Sequence, residues 1–197
     1  MLRKSLAMTA LVVTAALGLT ACGDDTSDTD PGAGGDGTSQ FNDADVTFAQ
    51  EMIPHHQQAV AMAELAADRA ASVEVRQLAE DIEAAQGPEI ETMTGWLDTW
   101  DQDAPSGSMD HGDMGHGTTG ELPGMMTEDE MNTLETSEGS QFDRMFLEMM
   151  IAHHEGAIAM ARSEQANGEN PDAIALAEQV EADQEAEIDK MRQLLGS

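Results

Sequence analysis

A repeat constrains this chain more than any other feature. Met52-Ile53-Pro54-His55-His56-Gln57-Gln58-Ala59-Val60-Ala61-Met62-Ala63 returns 98 residues later as Met150-Ile151-Ala152-His153-His154-Glu155-Gly156-Ala157-Ile158-Ala159-Met160-Ala161, with eight of the twelve positions identical. At the same offset and without a gap, Gln86, Glu89, Ile90, Met93 and Leu97 return as Gln184, Glu187, Ile188, Met191 and Leu195. A tandem duplication repeats one supersecondary unit that cannot bury its apolar face alone, so the copies must pack on one another. Residues 64–77 share no identity with residues 162–175, so drift has been free there and restrained around the Met/His segments.

Each copy reads as a helical hairpin. The first segments, about 43–70 and 141–167, are rich in Ala, Met, Leu and Glu, with apolar residues at helical spacing and almost no β-branched runs. The second segments, about 73–99 and 171–195, start behind Ser72 and behind Asn170-Pro171, an N-cap followed by proline at the first helical position. Gly168 fits a C-terminal stop for the helix before it. Two hairpins with apolar stripes predict an all-α four-helix bundle over residues 41–197, with repeat 1 at about 43–100 and repeat 2 at about 141–197. Residues 101–126, rich in Gly, Pro, Ser and Asp, connect the halves, and Thr127-Glu128-Asp129-Glu130 has the form of a capping box opening a short extra helix.

At about 100° per residue, Asp45, Phe48, Met52, His55, His56, Ala59, Met62 and Ala63 share one face. The repeat gives Asp143, Phe146, Met150, His153, His154, Ala157, Met160 and Ala161 the same placement. Phenylalanine and alanine on that stripe turn it towards the core, which carries two histidines per half into a region where polar groups need partners. If the hairpins turn near residues 71 and 169, antiparallel pairing brings Met52, His55, His56, Glu89 and Met93 together, and likewise Met150, His153, His154, Glu187 and Met191. Imidazole with thioether suits Cu(I) or Ag(I); imidazole with carboxylate suits Cu(II). Methionine at helical spacing also serves as plain core filler, a reading that applies to Met62 and Met160 in particular. Pro54 has no amide N–H and is expected to kink the first helix just before its histidines, an effect Ala152 lacks.

In the connection, Met109-Asp110-His111-Gly112-Asp113-Met114-Gly115-His116 alternates thioether, imidazole and carboxylate on a glycine-rich backbone. Met109, His111, Met114 and His116 are therefore auxiliary candidates for a soft ion, beside Glu89 and Glu187. All six histidines of the chain lie in this tract or in the two His-His pairs.

At the N-terminus, Arg3 and Lys4 precede an apolar run from Leu6 to Leu19, too short for a permanent membrane span and typical of a signal peptide. The run ends in Leu19-Thr20-Ala21-Cys22, which resembles a bacterial lipobox; Cys22 is the one cysteine of the chain. The expectation is a signal peptide over 1–21, lipidation at Cys22 and export, with the protein held to the membrane by the lipid. Residues 22–40, almost devoid of apolar side chains, are expected to be a disordered tether. Losing Arg3 and Lys4 with the leader takes the net charge from −31 to −33, which argues against nucleic acid or anionic lipid as a partner and favours cations.

Met-Ile-Pro-His-His-Gln and Met-Ile-Ala-His-His-Glu-Gly-Ala, each followed by Gln-x-x-Glu-Ile-x-x-Met, resemble the bacterial family known as domain of unknown function 305, over about residues 41–197. The resemblance implies a ferritin-like bundle, often exported or lipid-anchored, with some members binding copper outside the cytoplasm. It implies Met52, His55, His56, Met62 and Met93, with Met150, His153, His154, Met160 and Met191, as the site, and copper as Cu(I) or Cu(II) as the bound ion. A non-enzymatic metal-binding lipoprotein for copper tolerance, storage or delivery is the resulting expectation. One alternative is a structural or interaction lipoprotein without metal. The other, a di-metal oxidoreductase, lacks its Glu-x-x-His motif, since Met52 and Ile53 precede the first histidine pair by three positions and Met150 and Ile151 the second.

Overall fold

The computed structural model describes residues 40–105 and 122–196, all within the unit formed by residues 36–197. The leader, Cys22, residues 22–39 of the tether and the tract from Met109 to His116 lie outside the described residues. The described chain forms α1 (Asp43–Arg69), α2 (Val73–Thr99), α3 (Glu128–Thr136), α4 (Gly139–Asn167) and α5 (Pro171–Leu195), with no β-strand among the described residues. None of these helices is long and apolar enough to cross a membrane.

The starts of the helices follow from their caps. The Asn42 side chain accepts the N–H groups of Ala44 and Asp45 while Asp45 accepts that of Asn42, a closed capping box. Ser72 caps α2, Thr127 and Glu130 close the expected box on α3, and Asn170 caps α5 with Pro171 at its first position. Pro54 sits inside α1, and the helix continues past it to Arg69. Gly168 does end α4, but not by the expected conformational route: its φ of −68° is open to any residue. The absent side chain leaves room for the Glu164 carboxyl, which a Cβ there would displace.

α1 pairs with α2 and α4 with α5, and the two hairpins meet mainly along α1 and α4. Each hairpin closes the other's turn. Asp143, at the start of α4, accepts the N–H groups of Ala71 and Ser72 at 3.0 Å each, where α1 gives way to α2. Its repeat equivalent Asp45 accepts those of Glu169 and Asn170 at 3.2 and 2.9 Å, where α4 gives way to α5. The start of α1 thus meets the end of α4 and the reverse, so the two central helices run antiparallel and the repeats are related by an approximate two-fold axis.

Candidate metal centre

The axis passes through the histidines. His55, His56, His153 and His154 are all fully buried, and the His55 and His153 rings meet with centroids 3.8 Å apart. Four buried imidazoles make no sense as apolar filler, so their nitrogens decide what the site is. His56 Nε2 bonds Glu89 Oε2 at 2.7 Å, and His154 Nε2 bonds Glu187 Oε2 at the same distance. His55 Nε2 donates to the carbonyl oxygen of Pro123 at 3.0 Å.

Those partners fix the tautomers. A carboxylate or carbonyl oxygen only accepts, so Nε2 of His55, His56 and His154 carries a proton, which in a neutral ring leaves the lone pair on Nδ1. Nδ1 of each of these three rings is buried and makes no hydrogen bond; in His153 neither ring nitrogen makes one. Burial pushes His55 down to about 3, with the neighbouring His56 and His154 adding to the effect against the Pro123 bond. Burial likewise holds His153 well below the usual histidine range, reinforced by His55, His154 and His56 and opposed by a backbone contact from His55. Both rings are therefore neutral at physiological pH, the form that ligates metal. A ring nitrogen tied to a carboxylate or carbonyl with the other left free is the arrangement by which proteins orient histidine ligands.

Buried methionines belong to both core clusters of the bundle. Met52 and Met93 sit, fully buried, in one core cluster with Phe48, Leu97, Ala157 and Met160. Met150 and Met191 sit, equally buried, in a second cluster with Phe142, Phe146, Ala59 and Met62. The pairing of Met52 with Met93 follows the expected hairpin register. What the hairpins alone do not reveal is that Met160 falls in the cluster holding Met52 and Met93, and Met62 in the cluster holding Met150 and Met191, as antiparallel central helices place them. Among the described residues no three His, Cys, Asp or Glu side chains converge as a group able to hold an ion.

Sequence reasoning missed two features next to the histidines. One is the strand of connection over residues 122–126, which lies on α4 at Gly156, where a Cβ would collide with Pro123. Gln58 on α1 grips its far end, donating Nε2 to the Met126 carbonyl at 2.8 Å and accepting the Met126 N–H at 2.7 Å. Gln58 and Gly156 occupy the same repeat position, so the loss of identity there was the available signal. The other is Glu164, buried against Asp45 at the end of α4. Burial and the Asp45 carboxylate push it up to about 8. Asp45, despite its own burial, is held below the usual range by Glu164 and by the N–H groups of Asn42, Asn170 and Glu169. A single proton shared between the two carboxyls accounts for both shifts.

The family model for domain of unknown function DUF305 matches residues 45–195. A DUF305 protein from Streptomyces coelicolor is 38% identical in sequence, with a TM-score of 0.68 over 78% of this chain and 92% of that one. A DUF305 fragment from Deinococcus radiodurans is 33% identical, with a TM-score of 0.68 over 79% and 97%. CopM in its Cu(II)-bound form is 33% identical, with a TM-score of 0.64 over 77% and 95%, and CopM also matches in Cu(I)-bound and Ag-bound forms. Among curated proteins no match is found.

Proposed function

We propose that this chain, which belongs to the DUF305 family, binds copper, or silver in its place, through buried imidazole nitrogens and methionine sulfurs, without catalysing a reaction. The observation that carries this reading is the set of unpartnered Nδ1 atoms on four fully buried histidines in a bundle whose two core clusters both hold buried methionines. Leaving such nitrogens without a partner is costly, about 1–3 kcal/mol each, a cost that a bound ion would remove. CopM, a relative of the same fold, takes up Cu(II), Cu(I) and Ag, the ions this donor set suits.

Met52, Met93 and Met160 would serve with the first-repeat histidines, and Met62, Met150 and Met191 with the second. Neutral sulfur needs no deprotonation and stabilises Cu(I), while Glu89 and Glu187, both partly exposed, give carboxylate oxygen should the ion be Cu(II). We place the protein outside the cytoplasm, lipid-anchored through Cys22, with the tract bearing Met109, His111, Met114 and His116 as an auxiliary capture segment. Its receiving protein, if the role is delivery, has no signature in the sequence. Metal analysis of the purified mature protein separates the readings. Stoichiometric copper or silver supports the proposal, iron points to an oxidoreductase, and absence of metal under both oxidising and reducing conditions returns the histidines to a structural role.

A further inference from the structure

Three of the four buried histidines have a partner that fixes Nε2, but the partners differ in kind. His56 and His154 use Glu89 and Glu187, repeat-equivalent residues within their own hairpins. His55 uses a backbone carbonyl from the connection, which exists once in the chain, whereas its equivalent His153 bonds nothing in the connection and has only a looser backbone contact from His55. The carbonyl is brought there by construction. Gly156 leaves the space that Pro123 occupies, and Gly124, with φ of +79°, turns the chain where a side chain would collide with the Ala152 carbonyl and touch that of His153. Gln58 then locks Met126 with two hydrogen bonds.

We infer that residues 122–126 form a positioning strap, held by Gln58 and Gly156, that fixes His55 with its proton on Nε2 and so presents Nδ1 as the ligand atom. The strap does for His55 what the two glutamates do for His56 and His154. It also makes the two halves of the site inequivalent, since no residue of the strap bonds His153, which meets the ring and backbone of His55 instead. The tautomer assignment stands without metal; the ligand role of Nδ1 rests on the function proposed above.

The test is long-range ¹H–¹⁵N correlation of the histidine rings in the apo protein, followed by titration with Ag(I), which is diamagnetic. Wild type should show His55 protonated at Nε2, and Ag(I) should perturb its Nδ1. Gly156→Ala expels the strap, and Gln58→Leu frees its end without adding bulk inside it. In either variant the His55 signals should move towards a tautomer average while those of His56 and His154 stay fixed, and Ag(I) affinity should fall by about 10-fold or more. His55 protonated at Nδ1 in wild type, or an unchanged His55 signal in a folded Gln58→Leu variant, would overturn the inference. The expected apo spectrum with no Ag(I) uptake would support the strap's hold on the ring and overturn the metal reading instead.

Discussion

His55 and His153, 98 positions apart in the chain, hold their rings 3.8 Å apart between centroids at the centre of the bundle. Two buried imidazoles in ring contact are stable only while both are neutral, because a proton on either would sit uncompensated beside the other. This contact, rather than either half alone, makes the duplicated helices a single site. It explains why the Met/His segments kept their identity while the turns drifted.

The Asp45 and Glu164 pair gives the bundle an alkaline limit. Glu164 is raised to about 8 from an ordinary value of 4.5, so its contribution to stability is complete below pH 4.5 and is lost as the pH rises through about 8. The groups facing it are Asp45 on α1 and the backbone N–H groups that Asp45 accepts at Glu169 and Asn170. Glu164→Gln, which donates to Asp45 at every pH, should flatten the fall in melting temperature between about pH 6 and about pH 9. Equal slopes in variant and wild type would show that the pair shares no proton.

Exchanged capping predicts unequal losses at two equivalent positions. Asp143→Ala leaves the half-exposed N–H groups of Ala71 and Ser72 unbonded and should cost about 1–2 kcal/mol. Asp45→Ala removes a fully buried acceptor of three N–H groups and should cost more. Thermal unfolding measures both, and neither change should weaken metal binding in the folded protein by more than a few-fold.

Much of this was legible in the sequence. The repeat, the four long helices, the caps Ser72 and Asn170, the burial of the Met/His face and the His56 to Glu89 contact all follow from periodicity, cap chemistry and hairpin register. The strap was hidden because it depends on a non-local packing event, a loop settling on a glycine of α4. Glu164 was hidden because its partner Asp45 belongs to the other repeat, and its repeat equivalent is Ala66. The exchange of Met62 and Met160 across the axis was hidden for the same reason: register within a hairpin says nothing of the contact between hairpins.

The proposed lipid anchor at Cys22 would hold the protein at the membrane. Expressed with its leader, the protein should partition with membranes, and Cys22→Ser should release it or block processing. Fractionation followed by mass measurement of the N-terminus decides this, and identical processing and partition of the Ser variant would contradict a lipid anchor.

The most direct measurement of the central claim is thermal unfolding with and without Cu(I) or Ag(I) in three proteins. Wild type should gain about 2.7 kcal/mol when free ion exceeds the dissociation constant 100-fold. Replacing His55, His56, His153 and His154 with Gln should leave a folded apo bundle that loses most of this gain. Changing Met52, Met93, Met150 and Met191 to Leu keeps apolar volume and deletes sulfur, so it should weaken Cu(I) and Ag(I) far more than Cu(II). A Gln variant destabilised without metal, a neutral Leu variant and metal-induced shifts equal to wild type in both would contradict a metal site at the bundle core.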